Sequence, residues 1–548
     1  MNNSMEAASS SSVRHQWVSV WAVRLVVLAG LILFWIVSNA SLMQKSNTFD
    51  EEYDIARGIT PWKTGNYTIY DYHPPFAHMI STIPLLWTKG FFYPEDYKNF
   101  SPQLLSYLLL YKNQISMESI LFPCRRVTVI VALILAIAVF SWAKRLYGAW
   151  PAVVSFLLCI LSPNIMANGQ LVTNDLMTAL LYFLSVFTLW MWLQDKKNKF
   201  YLLMLGVLVG CAQISKFSSL ILYPAVGLIM VGDAFLDQPS ETNLWKRLWQ
   251  ATQKTFLAYG VVLCMSLLII YVGYGLTFDN YINNFRKNTL DLILKVQRNY
   301  MFGEIYHGKI WYFPLVAIFL KMPLATMFLF LSGVFLAVRS GKKFSEYATV
   351  YGGMIAFMLI ASIPQKNQQL RYFLPFFPFA FLIAGNAVSR LRGKFAVTVI
   401  MGLLVWLAAE NRAIYPDYLT YMNSLVGGAK NGHKYLLDSN YDWGQDMKAL
   451  KKYMDENKIE KVSLAYFGRS DPEYYGIDFG VLPSGGHSVL RLHSEKRVEL
   501  PPKGWVVISA NLLQGYYLPE GYNDLYDNLQ EVEPVDRIGN TLFVYYLV

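Results

Sequence analysis

Charge is scarce in this chain. Only 15% of its 548 residues are Asp, Glu, Lys or Arg. A soluble domain carries roughly 25%, so a wholly soluble protein is excluded. Cysteine is scarcer still. Of four cysteines, Cys159, Cys211 and Cys264 lie inside apolar runs and Cys124 stands at the start of another. No CxxC pair occurs, and none falls in the polar C-terminal region, which rules against a zinc site or a disulfide framework. Internal repeats, low-complexity tracts and Gly-rich nucleotide cradles are all missing. Lys and Arg outnumber Asp and Glu by 47 to 37. They sit as short clusters between apolar runs, however, and not as the basic stripe that nucleic-acid binding needs, so no nucleic-acid partner is expected.

Apolar sequence is abundant: 54% hydrophobic and 16% aromatic. A helix needs about 20 apolar residues to cross a bilayer. Such runs occur near 18–40, 126–145, 149–166, 175–193, 200–215, 218–236, 255–276, 319–338, 347–363, 372–389 and 395–412. They predict an α-helical polytopic membrane protein with about 11 transmembrane helices. The run 76–93 holds His78, Pro84 and Lys89 and reads as an amphipathic helix lying on the membrane. The run 18–40 is read as an uncleaved anchor, because it is long for a signal peptide and an acidic motif follows closely.

Basic clusters set the orientation. They fall at Lys144-Arg145, at Lys196, Lys197 and Lys199, at Lys246-Arg247, at Arg339, Lys342 and Lys343, and at Arg390, Arg392 and Lys394. Eleven spans put all of them on one side, with Arg14, and that side is assigned to the cytoplasm. The segments 41–124, 167–174, 277–318 and 364–371 then face outward. So does the region from about 414, where charges return and spanning runs stop. There, 461–467, 505–509 and 541–546 read as strands, and 443–457 as a helix with Met447, Leu450 and Met454 on one face. The expected organisation is a membrane domain over 1–413 and a small extracytoplasmic α/β domain over 414–548.

Two motifs in the first outer segment carry the chemistry: Asp50-Glu51-Glu52-Tyr53, and Tyr70-Asp71-Tyr72-His73-Pro74-Pro75. Clustered carboxylates repel and raise a pKa, which suits a general base. They also offer oxygen ligands to a divalent cation, without a spacing that defines one. The bland alternative is a solvated loop or a helix cap. Pro-Pro fixes an extended backbone and starts a helix, which puts His73 where it could donate to a phosphate. A plain helix-start turn is the alternative.

These motifs, in this order, resemble the protein O-mannosyltransferase family and the bacterial lipid-A aminoarabinose transferases, members of the GT-C superfamily of membrane glycosyltransferases. The resemblance continues through Arg126-Val127-Thr128-Val129, Thr173-Asn174-Asp175 and Ser215-Lys216-Phe217. It extends through Trp311-Tyr312-Phe313-Pro314, Lys321-Met322-Pro323-Leu324 and Arg371-Tyr372-Phe373-Leu374-Pro375, covering about 20–410. Asp50, His73, Arg126, Asp175, Lys216 and Arg371 all fall at outward helix ends in a topology drawn from Lys and Arg alone. There are two departures. The outer segment 277–310 is too short for the β-trefoil domain of the eukaryotic members. The tail motif Ser439-Asn440-Tyr441-Asp442-Trp443-Gly444-Gln445-Asp446 resembles bacterial members, and its Asp442 and Gln445 also read as a capping box for the 443–457 helix.

The resemblance implies a polyprenyl-phosphate sugar donor and an acceptor hydroxyl on a protein, lipid or envelope glycan, with the site outside a bacterial inner membrane. It implies Asp50 as general base, with Glu51 orienting the acceptor or holding the acidic site in place. Asp175 would bind a sugar, its alternative being a helix N-cap. Arg126 and Arg371, with Lys216 and His73, would stabilise the donor phosphate. The alternative for Arg126 is an interfacial anchor. Lys321 would mark a bend over the site, and the 277–310 segment, with Tyr300, Gly303 and His307, would close over the substrates. The competing class is a flippase of lipid-linked sugars, which inverted repeats and broken midplane helices would mark.

Overall fold

The computed structural model describes residues 2–70, 73–238, 243–294, 298–338, 346, 348–363, 368–391, 393–486, 488–519 and 521–548. The predicted clusters at Arg339, Lys342, Lys343 and Arg392, and the motif residues Asp71 and Tyr72, lie outside these residues, as does the side chain of Arg14.

Each apolar run becomes helix. Six helical stretches among the described residues are long and apolar enough to cross a membrane: Trp21–Leu42, Met117–Tyr147, Asp175–Gln194, Phe217–Leu236, Leu244–Gly273 and Lys394–Ile414. The other five runs fold as shorter apolar helices. Proline accounts for two of the breaks. Helix Ala149–Ile160 stops before Ser162, extended ahead of Pro163, and helix Phe313–Lys321 stops at Met322, extended ahead of Pro323. The residue before a proline is driven out of the helical region by the ring. Helix Met117–Tyr147 begins nine residues before Arg126, capped by Ser116, so Arg126 lies within the helix and does not open it.

The bundle closes on aromatic residues from three helices. Trp142 packs against Phe183 at 5.2 Å and Phe187 at 5.1 Å, and Phe183 meets Phe379 at 5.2 Å. Helices Lys199–Gln213 and Leu244–Gly273 approach closely at Gly206 and Gly210, where an added Cβ would lie 2.6 Å from Met265 and 2.7 Å from Ile269. Small residues at such crossings let backbones meet, which is how helices associate where lipid offers no hydrophobic drive. Outward faces carry exposed Leu28, Ile32, Phe256, Leu257 and Val405.

The segment 41–124 is more structured than predicted. Helix Glu51–Thr64 lies against helix Phe76–Thr82, which continues as a 3₁₀ turn over Ile83–Leu86. The expected surface helix 76–93 is therefore short, and Ala77, His78, Met79, Ser81 and Thr82 are buried. Gly58 permits this contact, because a Cβ there would collide with the carbonyl oxygen of His78.

The described residues of the segment 277–310 are folded. They form helix Asp279–Leu294 and an antiparallel hairpin, β1 (Arg298–Met301) and β2 (Glu304–His307). The hairpin docks on the C-terminal region: Phe302 N–H donates to Tyr435 O at 3.0 Å, and the Tyr300 hydroxyl bonds His433 O at 3.0 Å.

The C-terminal region folds as an α/β unit. Its strands are β3 (Lys461–Ala465), β4 (Asp478–Val481), β5 (Gly504–Ser509), β6 (Asp536–Ile538) and β7 (Leu542–Leu547), in the order β4-β3-β5-β7-β6. β3 is parallel to β4 and β5, and β7 is antiparallel to β5 and β6. Helix Met447–Glu456 buries Met447, Leu450 and Met454, the face predicted. The capping box is a correction: the helix starts after Asp446, and Asp442 is buried away from it. Its carboxylate accepts from Gly444 N at 3.2 Å and Asn511 N at 3.1 Å, while Gln445 Oε1 accepts from Trp443 N at 2.8 Å.

Candidate functional site

Asp50 immediately precedes helix Glu51–Thr64, and Asp175 opens helix Asp175–Gln194. Lys216 ends the turn after helix Lys199–Gln213, and Arg371 lies in a 3₁₀ turn before helix Phe376–Arg390. Helix packing brings these four together. The Arg371 guanidinium bridges the two carboxylates, 2.9 Å from Asp50 and 3.5 Å from Asp175. Lys216 pairs with the other oxygen of Asp175 and lies 4.5 Å over the Tyr372 ring. Asp50 keeps 33% of its side chain exposed, whereas Asp175 is fully buried. Asp50 is therefore the reachable carboxylate of the two. The alternative reading of Asp175 as a cap does not describe it, since the helix is entered through Asn174 and Asp175 spends its oxygens on cations.

Asp50 and Arg371 face a cavity of about 690 Å³ whose walls also include His73, Tyr372, Trp443 and Tyr517, while Asp175 and Lys216 stand behind them and do not line it. Burial, and then the nearby Arg57, Lys216 and Arg371 cations, hold the His73 imidazole well below its ordinary pKa. It is neutral at pH 7, with one N–H to donate and one nitrogen to accept.

Glu51 does not reach this cavity. Arg125 grips it from behind, Nε to Oε1 at 2.8 Å and Nη2 to Oε2 at 2.6 Å. Val172 N and Thr48 N and Oγ1 also donate to it. The remaining Arg125 donors bond Leu42 O, Lys45 O and Ser46 O. This charge pair is buried with its hydrogen bonds made, and it fixes the turn that presents Asp50. Arg126, the neighbour, turns away and donates to Asn39 Oδ1 at 3.0 Å. The structure thus brings Asp50, Arg371 and His73 to the cavity, with Asp175 and Lys216 paired behind Arg371, and leaves Glu51 and Arg126 apart from this group.

The next acid, Glu52, is buried on the other side of the turn. Its nearest cation is Arg469 at 3.4 Å, and burial pushes its carboxyl up to about 7. Arg469 itself is held between Phe49 at 4.8 Å and Tyr53 at 4.2 Å. Asp54, facing Arg57 and His78, is likewise raised well above the carboxylate range by burial. Among the described residues, no group of three or more His, Cys, Asp or Glu side chains is arranged to hold a metal ion.

Much of the cavity comes from residues that sequence reasoning did not assign to it. Trp443 lies 4.2 Å from the Arg371 guanidinium, and Gln369 Oε1 accepts from Arg371 Nε at 2.5 Å. Phe467 stacks between Phe49 at 5.2 Å and Tyr517 at 4.4 Å, and the Tyr517 hydroxyl bonds Asp438. The C-terminal region reaches the acidic loop through its backbone too. Phe49 N donates to Trp443 O at 2.9 Å and Ser46 N to Gln445 O at 3.1 Å. Lys45 is clasped by Asp417 and Asp446, and Thr541 Oγ1 donates to Asp446 at 2.6 Å. The available signal was the Ser439–Asp446 motif, whose polar residues hold this junction.

The helices, the cations and carboxylates gathered at their ends, and the C-terminal α/β unit define a multi-pass membrane protein of the GT-C fold. Two solved structures share this fold across almost the whole chain. ArnT from Cupriavidus metallidurans bound to undecaprenyl phosphate is 13% identical, with a TM-score of 0.51, over 96% of this chain and 98% of that one. The same protein in the apo state gives 14%, 0.50 and the same coverage. The Archaeoglobus fulgidus oligosaccharyltransferase in the apo form is 13% identical over 90% of this chain and 71% of its own, with a TM-score of 0.45. Residues 101–271 match the dolichyl-phosphate-mannose-protein mannosyltransferase family. No curated protein matches by sequence. The chain thus resembles the GT-C glycosyltransferases in fold and in motif order.

Proposed function

We propose that this protein is a glycosyltransferase that moves a sugar from a polyprenyl-phosphate carrier to an acceptor hydroxyl at the outer face of the membrane. The observation that carries this reading is Arg371, set between the reachable Asp50 and the buried Asp175 at the wall of one cavity. A site with a carboxylate and a phosphate-binding cation side by side suits displacement at a sugar carbon bonded to phosphate. That ArnT has been crystallised with undecaprenyl phosphate, and that 101–271 match a mannosyltransferase family, supports the same donor class.

In this mechanism Asp50 accepts the proton of the acceptor hydroxyl as its oxygen attacks the anomeric carbon. The carbon–oxygen bond to the phosphate breaks and its electron pair leaves with the polyprenyl phosphate, so the sugar inverts. Arg371 meets the charge developing on that phosphate with a planar pair of N–H donors. Lys216 adds charge from beside it, and neutral His73 adds one hydrogen bond. Asp175 holds Lys216 and Arg371 in place, and Glu51 with Arg125 fixes the turn bearing Asp50. The bacterial inner membrane, with the C-terminal unit outside the cell, is the proposed setting.

The test uses purified protein in lipid with a panel of undecaprenyl-phosphate sugars, following release of undecaprenyl phosphate with and without extracted envelope acceptors. Loss of a catalytic base costs about 10²–10⁴ in rate, so Asp50→Asn should lower release by that factor while leaving thermal unfolding unchanged. Normal release by the variant overturns the base assignment. Donor movement across the bilayer without any release supports a flippase instead.

A further inference from the structure

A second cavity, of about 500 Å³, lies in the C-terminal region under the turn of the β1–β2 hairpin. Phe302 and Gly303 form its rim, Phe543 and Tyr545 of β7 line its wall, and His433, Gln514, Gln530 and Arg537 supply planar polar edges. Its charged lining is balanced, Lys434 and Arg537 against Glu531 and Glu533. None of these residues borders the catalytic cavity.

Phe302 is the unusual member. It is half exposed, and its φ of +55° is left-handed. A bulky residue in that region is an outlier, and such strain collects where a ligand is held. A Gly or Asn would make the same turn without the cost. The neighbouring Gly303, at φ +85°, already does so. The backbone is pinned there, since Phe302 N–H donates to Tyr435 O and the ring packs edge-on against Tyr435 at 5.9 Å. The fold therefore keeps an aromatic face at the mouth of a polar cavity.

Inside, the planar groups are pre-arranged. Gln514 accepts from the Tyr300 hydroxyl at 2.9 Å and donates to Gln530 at 3.2 Å. Arg537 lies 4.6 Å over Phe543 and donates to Lys430 O at 2.8 Å, leaving further N–H groups for a ligand. An aromatic face, amide edges that both donate and accept, and balanced charge match a molecule with apolar ring faces and many hydroxyls. They do not match an anion, which would need net positive charge, or a lipid tail, which would need an apolar lining.

We propose that this cavity binds a neutral saccharide of one or two sugar units, its ring resting on Phe302 and its hydroxyls on Gln530 and Arg537. The site is separate from the transfer reaction and stands whether or not that reaction is as proposed.

The experiment is saturation-transfer difference NMR on the full-length protein in lipid nanodiscs, with mannobiose, cellobiose and N,N′-diacetylchitobiose as probes. At least one disaccharide should bind. Phe302→Ala and Gln530→Ala should each weaken it by about tenfold, the loss of one stacking contact or of one hydrogen bond from the Gln530 N–H that Asp527 does not take. Phe302→Tyr should bind normally and show that the aromatic face is what matters. Asp50→Asn should bind as well as the parent. The proposal is overturned by no binding by any probe, by binding unaffected by Phe302→Ala and Gln530→Ala, or by binding lost in Asp50→Asn. The last would place the sugar in the catalytic cavity. Competition by a Ser/Thr-rich peptide that is itself lost in Phe302→Ala would reassign the site to peptide, and also overturns it.

Discussion

Arg125 holds both oxygens of Glu51, at 2.8 and 2.6 Å, with neither side chain open to solvent. Removing one member of a buried pair costs about 3–5 kcal/mol, because the other charge is left stranded. Arg125→Leu and Glu51→Leu should each lower the thermal midpoint sharply and reduce the yield of folded protein. Asp50→Asn should do neither, so unfolding curves of the three variants separate the support from the chemistry. An Arg125→Leu protein with parental unfolding would refute the support role.

Two arginines invited the same role, and the structure divides them. Removing an electrostatic donor from a transition state costs roughly 10²–10³ in rate. Arg371→Ala should fall in that range, and Arg371→Lys should recover only part, since an ammonium cannot present a planar pair of donors. Arg126→Ala, whose side chain lies with Asn39, should retain activity within a few-fold. Undecaprenyl phosphate release by the three variants is the measurement. Equal losses at both arginines would contradict the assignment.

Glu52 predicts a pH dependence. Unfolded, its carboxyl titrates near the ordinary value of about 4.3; folded, burial raises it to about 7. Between those values the folded state binds more protons, so stability falls as pH rises from about 4.3 to 7 and then levels. The contribution is on the order of 3 kcal/mol. Glu52→Gln should flatten this slope and raise the unfolding midpoint above pH 7. Scans from pH 5 to 8.5 on both proteins check it, and parallel curves would count against it.

Trp443 ties the C-terminal region to the chemistry, with its ring against Arg371 and its carbonyl accepting from Phe49 N. A cation over an aromatic face is worth about 0.5–2 kcal/mol. Trp443→Ala should therefore slow transfer by about tenfold, with Trp443→Phe close to the parent. If transfer by Trp443→Ala is unchanged, the ring does not position Arg371.

The membrane-spanning helices were legible because hydrophobic length is a local property, and the strands around Val462, Val506 and Val544 because β-branched alternation is local too. Asp50, Asp175, Lys216 and Arg371 were legible as candidates because the resemblance named them and the Lys and Arg bias put them on one side. What stayed hidden depends on distant contacts. Nothing around Arg125 and Arg126 says which turns inward, since one step along a helix rotates a side chain by about 100°. Asp442 and Gln445 match a capping pattern by spacing, yet Asn511, far along the chain, claims Asp442. The hairpin within 277–310 was not read from the sequence, because its docking partners Tyr435, His433 and Gln514 lie well over a hundred residues further on.

The junction at Lys45, Asp446 and Thr541 has a bearing on biosynthesis. The turn that presents Asp50 leaves the ribosome early, but the last of its anchors is made some five hundred residues later. Until Thr541 has been made, Asp446 lacks its hydroxyl hydrogen bond, although Phe467, against which Phe49 stacks, is already present. A chain arrested before Thr541 would carry all its apolar spans and still lack this tie on the turn that bears Asp50.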